Sequence, residues 1–211
     1  MNSTSYIILL KPPKYIYFEA YHHNRLYFIK EGYIRVGYID DSGQEVIKEI
    51  IQKGEIFGQI TLEKNNLNGE FAQAYRSAVS LCSFTIDDFE KLLQKKPALA
   101  LKYSKQVGAK LRLIENRLVN LLNKDVKSRL LGFLWQLVRQ HRASAVPDTT
   151  DTALCIPNYL THEDMARLIG SSRQTVTTLI NELAQEGLLN YNRHEICFPD
   201  VNKIQKLSTV A

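Results

Sequence analysis

The residues best suited to chemistry lie on one short segment, 173–185. Val176, Leu179, Ile180 and Leu183 recur there at i, i+3, i+4 and i+7, the spacing of a helix with one buried stripe. At roughly 100° per residue the opposite side carries Gln174, Thr177, Thr178, Asn181 and Gln185, with Arg173 at its N-terminal end. A merely solvated helix face is usually dressed in Glu and Lys. Arg, Gln, Asn and Thr are the groups that match the donors and acceptors of base edges in a major groove. The pattern therefore implies reading of double-stranded DNA, with Arg173, Gln174, Thr177 and Thr178 as base readers.

Such a helix must be held by its neighbours. Thr161-His162-Glu163-Asp164 is a capping pattern that starts a preceding helix through Met165, Ala166, Leu168 and Ile169. Gly170 ends that helix and Ser171 or Ser172 caps the next. Beyond Gly187, Leu188 to Tyr191 and Glu195 to Phe198 read as two strands joined by Asn192-Arg193-His194, a β-hairpin wing. Phosphates would be met by Thr161, His162, Ser171, Ser172 and Arg193, with help from Arg167 and the helix N-termini. The alternative is a winged helix that only packs or docks another protein; the charge-poor, amide-rich face favours DNA.

The run from Leu160 to Leu183 resembles the DNA-binding signature of the CRP/FNR family of bacterial transcription regulators. Tyr27 to Gly32, Gly43 and Gly54-Glu55-Ile56-Phe57-Gly58 are similar to the glycine-punctuated strands of that family's effector-binding barrel, so the likeness runs from about Leu9 to Phe198. It implies a homodimer on an inverted-repeat site, RNA polymerase as a partner, and Arg173 as the guanine reader. Gln174 stands where many relatives have Glu, and Thr178 where they have a second Arg, so the implied half-site differs from the usual one.

The same resemblance bears on the effector. Cyclic-nucleotide members hold ribose with a Gly-Glu pair and phosphate with an Arg-Ser pair. Here the first reads Gly58-Gln59, and counting back from Ile86 the second falls on Phe71-Ala72; Arg76-Ser77 lies five residues further along, an odd shift that turns side chains to the other face. The pocket expected at Gly58, Gln59, Phe71 and Ala72 thus lacks the charges that cAMP or cGMP needs. No cofactor is expected, and any effector is another molecule, contacted in part by Lys102, Lys105 or Arg112.

Composition is compatible with this. At 211 residues the chain can bury two cores. No apolar run is long enough to span a membrane and no signal-peptide pattern opens the chain, which suggests the cytoplasm. The net charge of +5 is uneven: residues 1–124 hold 18 Lys and Arg against 13 Asp and Glu, while residues 125–211 hold 9 of each. A neutral DNA-binding half must rely on local placement of its cations and on dimerisation. Cys82, Cys155 and Cys197 are far apart with no Cys-x-x-Cys spacing, which predicts buried thiols and neither metal site nor disulfide.

The predicted fold class is α+β. Residues 1–92 form a β-barrel or jelly roll, 93–124 a dimerisation helix, and 125–211 the winged helix-turn-helix. Leu26 to Lys30, Tyr33 to Ile39 and Glu45 to Ile51 read as strands, with turns at Glu31-Gly32, Asp40 to Gly43 and Lys53-Gly54. A strand pair is expected over Glu70 to Ile86, a helix from Asp87, and a loop from Arg142 to Thr152.

Val107, Leu111, Ile114, Leu118 and Leu121 alternate in steps of four and three, the seam of a coiled coil, although a helix packed on the barrel would also use them. Asp125 to Gln140 then forms a separate helix. Nine Lys or Arg against Glu115 alone make 91–124 the most basic block, a solvated helix or a site for an anion. Adjacent His22 and His23 would point to opposite faces of a strand, and neither a catalytic triad nor a phosphate loop is suggested, so enzymatic activity is not expected. Three readings stay open: an effector-switched regulator, a DNA binder with a vestigial barrel, and a partner-binding protein that does not touch DNA.

Overall fold

A computed structural model describes residues 6–18, 25–58, 70–144 and 152–210. His22, His23 and Gln59, and residues 145–151 of the loop predicted from Arg142 to Thr152, lie outside these; the start of that predicted loop, 142–144, is instead the end of a helix. The chain divides into two compact units, 1–112 and 113–211.

The first unit is built on two long strands, β3 (Arg25–Ile39) and β6 (Glu70–Thr85), which pair antiparallel. β1 (Tyr6–Leu10) and β2 (Tyr15–Phe18) join β6, while β4 (Glu45–Gln52) and β5 (Ile56–Gly58) join β3. Among the described strands this sheet does not close into a ring. Two sequence expectations are corrected. Glu31-Gly32 is no turn: β3 continues through it with register shifts on either side, and Gly32, at φ 85°, must be glycine because a Cβ there would strike the Ala78 carbonyl oxygen. Likewise 70–85 is one strand, carrying Arg76 at φ 63°, and not a hairpin. Long strands bent by bulges look like strand pairs to any rule that seeks glycine punctuation.

The sheet wraps a core of Tyr27, Ile29, Ile34, Val36, Ile51, Phe57, Ala72, Ala74, Val79 and Leu81. Helix α1 (Ile86–Lys95) starts where the Thr85 hydroxyl accepts from the Asp88 amide, with Asp87 and Asp88 facing the positive helix end. Phe89 of α1 and Tyr103 of α2 (Pro97–Asn123) close on Leu26, their rings 5.2 Å apart. Lys110 of α2 pairs with Glu49 at 2.7 Å.

In the second unit α3 (Val126–Ser144) begins at Asp125, whose carboxylate accepts the Ser128 amide at 2.7 Å. That bond holds the Asp125 pKa below the ordinary carboxylate value. Leu130, Leu134, Leu137 and Val138 form the buried face of α3. Two elements escaped the sequence reading. β7 (Leu154–Pro157) pairs with β9 (Glu195–Phe198), which also carries the short β8 (Asn190–Tyr191), and α6 (Val201–Val210) packs on α3 through Val201 and Ile204. β7 is too short to announce itself; α6 is capped by Asp200, whose carboxylate accepts the Asn202 amide at 3.0 Å, a start signal that the sequence pattern does carry.

A helix-turn-helix DNA interface

The two helices that present the site are fixed locally. α4 (His162–Ile169) opens with a complete capping box: the Thr161 hydroxyl accepts the Asp164 amide at 3.0 Å, and the Asp164 carboxylate accepts the Thr161 amide at 2.8 Å. α4 ends at Gly170, left-handed at φ 66°. The Gly170 carbonyl accepts from the Arg129 guanidinium at 3.0 Å, tying the turn to α3. Ser172, not Ser171, caps α5 (Arg173–Gln185) by accepting the Thr175 amide at 3.1 Å.

Val176, Ile180 and Leu183 are fully buried against α4 and the small sheet, each worth about 1.5–3 kcal/mol of apolar transfer. The outer face consequently presents Arg173, Gln174, Thr178, Asn181 and Gln185, all exposed. Arg193 is exposed in the wing turn, where the Asn192 side chain accepts the His194 and Glu195 amides and keeps the loop tight. Arg167 is partly neutralised by Glu163 at 2.9 Å.

Several residues assigned to DNA from sequence turn inward. Thr177 donates its hydroxyl to the Arg173 carbonyl at 2.9 Å and lies 2.8 Å from His162 Nδ1. With that proton committed, Thr177 can only accept from His162, so Nδ1 carries the ring hydrogen. The His162 ring packs on Tyr191 at 4.8 Å, and its Nε2 is buried without a partner. Burial, and then the Arg173 charge, lowers its pKa from 6.5. In this geometry Thr177 is a strut between α4 and α5, and the His162 ring is engaged by Thr177 and Tyr191. Thr161 likewise spends its hydroxyl on Asp164, leaving the α4 amides as the donors at that end.

Other sequence assignments also fall out differently. Phe71 and Ala72, expected to line an effector pocket, are wholly buried; Phe71 packs edge-on against Tyr15 at 5.9 Å. Gly58 sits at φ 90°, where a Cβ would strike the Arg25 carbonyl oxygen at 2.5 Å, so its role is the close approach of β5 to β3. Cys155 and Cys197 are neither separate nor thiols: they face each other across β7 and β9 and form a disulfide. Their 42-residue separation hid a pairing that only the sheet register creates. Cys82 is a free thiol.

A sheet-rich unit, a long helix, and a capped helix-turn-helix with its wing follow one another along the chain, the build of a DNA-binding regulator. The model of the Crp-like helix-turn-helix domain matches residues 128–207, and that of the cyclic nucleotide-binding domain matches residues 8–96. The chain is 26% identical over 184 residues to the global nitrogen regulator of Nostoc sp., covering 87% of this chain and 80% of that protein. It is 25% identical over 166 residues to the cAMP-activated global transcriptional regulator CRP of Salmonella typhimurium, covering 78% and 76%. Its fold superposes on FixK2 from Bradyrhizobium japonicum with a TM-score of 0.79 at 19% identity, covering 99% of each chain. A CooA mutant from Carboxydothermus hydrogenoformans gives 0.76 at 23% identity, covering 97% of this chain and 88% of that one. The chain belongs to the CRP/FNR family of regulators and is a DNA-binding transcription regulator, not an enzyme.

Proposed function

We propose that this regulator binds an inverted repeat as a homodimer, reading each half-site with Arg173, Gln174 and Thr178. The observation that carries this reading is the exposed apolar stripe of α2. Leu111, Ile114 and Leu118 are 57%, 54% and 59% exposed in the single chain, and Val107 and Leu121 complete the row. A helix that leaves five apolar side chains in water at heptad spacing is suited to a second copy of itself. Two-fold pairing would then set two recognition helices about one DNA turn apart, roughly 34–36 Å. Arg173 suits guanine, Gln174 adenine, and Thr178 a thymine methyl or a phosphate. Selection of sites from random duplexes tests this: an inverted repeat unlike the usual family half-site is expected, and recovery of the unmodified consensus refutes the base assignment. Leu111→Asp with Ile114→Asp should give monomers that bind DNA far more weakly; wild-type sedimentation as a monomer at micromolar concentration refutes the dimer.

Cyclic nucleotides do not fit as the effector in this reading. Phe71 and Ala72 offer no charge, and Arg35, whose guanidinium stands 5.9 Å from the Phe71 ring centroid, is already engaged by Glu45 at 2.8 Å and Gln73 at 2.6 Å. A phosphate brought there would keep its desolvation cost without an unengaged cation to offset it. Calorimetric titration with cAMP and cGMP should show no binding at physiological concentration; micromolar affinity coupled to tighter DNA binding refutes this. RNA polymerase as a partner and a cytoplasmic setting enter this reading through the family alone; no described helix is long and apolar enough to cross a membrane.

A further inference from the structure

On β7 and β9 the side chains alternate. Ile156, Ile196 and Phe198 point into the core, so Cys155, Glu195 and Cys197 stand on the outward face of the wing sheet. Cys155 and Cys197 are direct cross-strand partners, and Glu195 is two residues from Cys197 on the same strand. Cys155 and Glu195 are exposed and Cys197 half-buried. The two sulfurs and a Glu195 carboxylate oxygen all lie within 4.8 Å of one another.

We propose that, in the reduced chain, Cys155, Cys197 and Glu195 form a three-ligand site for a thiophilic divalent cation of the zinc class, which the disulfide closes off. Around a tetrahedral zinc with bonds of about 2.3 Å to sulfur and 2.0–2.2 Å to oxygen, neighbouring ligand atoms stand roughly 3.5–3.8 Å apart. Once the sulfur–sulfur bond is gone, van der Waals repulsion drives the thiols to about that spacing, and the carboxylate is already within reach. Two thiolates and one carboxylate leave a fourth position for water, the donor set that separates zinc from the all-oxygen sites of calcium and magnesium.

The chemistry balances. Two equivalents of a low-molecular-weight thiol become one disulfide and hand two electrons and two protons to Cys155–Cys197, giving two thiols. The cation then displaces both thiol protons. Two positive charges enter as two protons leave, so the formal charge of the cluster is unchanged, and the driving force is coordination and not a change of field on the DNA-binding face. Because two protons leave per cation, affinity below the thiol pKa should rise about a hundredfold per pH unit. Either state fastens β7, which leads into α4, to the strand that follows the wing turn.

Cobalt(II) reports such a site, through a near-ultraviolet thiolate-to-metal charge-transfer band and the visible bands of tetrahedral coordination. Full-length protein, reduced with a phosphine and freed of metal, is titrated anaerobically with cobalt(II), then with zinc. One equivalent per chain should produce the bands, and zinc should abolish them. The disulfide form should take up none. Cys155→Ser or Cys197→Ser should remove the charge-transfer band, Glu195→Gln should weaken binding about tenfold or more, and Cys82→Ser should leave it unchanged. All three ligand side chains face outward, so these variants retain the core, and thiol titration counts the accessible sulfurs in each. A reduced chain with no stoichiometric band, a band that survives loss of Cys155 and Cys197, or one that depends on Cys82 overturns the proposal. None of these readouts depends on which DNA sequence α5 reads.

Discussion

Thr177→Val separates a strut from a base reader at one position on α5. Valine keeps the branched shape and removes only the hydroxyl. The Arg173 carbonyl then loses a contact that supplements its backbone bonding, a small change. His162 loses more: Nδ1–H, 2.8 Å from the hydroxyl, is left without its acceptor on a ring whose Nε2 is already buried and unpartnered. An unmade hydrogen bond at a buried donor costs about 1–3 kcal/mol, and partial burial of the ring places this case near 1–2. For a unit of this size that is a fall in melting temperature of roughly 5–10 °C. Thermal unfolding followed by circular dichroism, with site selection on the same variants, reads both effects. Thr177→Val should melt lower and select the wild-type site; Thr178→Val should melt within about 0.5 kcal/mol of wild type and select an altered one. A Thr177→Val protein of unchanged stability that prefers a different base would refute the inward assignment.

The remaining predictions concern the same unit. Since the folded state holds His162 below 6.5 by burial and the Arg173 charge, the unfolded chain takes up a proton first as pH falls. The stability from neutral His162 is present above about pH 6.5 and is lost as pH falls through the lower folded value, so melting should decline from pH 7 to 5, and His162→Gln should flatten that slope; an unaltered slope counts against it. Gly170→Ala should cost about 1–2 kcal/mol from φ 66° alone, because the new Cβ, 2.6 Å from Leu121 Cδ2, meets a flexible side-chain end that can move away. Gly170→Asn should recover part of the loss in denaturant titration. Thr161→Ala should cost about 0.5–2 kcal/mol of the capping box and Thr161→Ser much less; equal melting of all three proteins would mean the box contributes nothing.

Much of the fold and of the interface was legible in residue order because its determinants are local. The Thr161 to Asp164 box, Gly170 and the Val176 to Leu183 stripe act within a turn or two of helix, and these placed α4 and α5 within a residue. The apolar spacing on α2 marked an exposed row for the same reason. What tertiary structure decided was every feature set by partners distant in sequence. Glycines in β3 were legible, but whether they turned or bulged depended on β6 lying alongside. Thr177 and Thr178, about 100° apart on a helical wheel, both fall outside the apolar stripe, and only the His162 ring arriving from α4 shows that the first, at the stripe's edge, is engaged as a strut. Strand register places Phe71 and Ala72 side by side on β6, but only the packing of Tyr15 and Arg35 on the Phe71 ring shows how fully that ring is buried. Cys155 and Cys197 carry no spacing signal, since their meeting is made by two strands whose register is fixed by the inward faces of Ile156, Ile196 and Phe198.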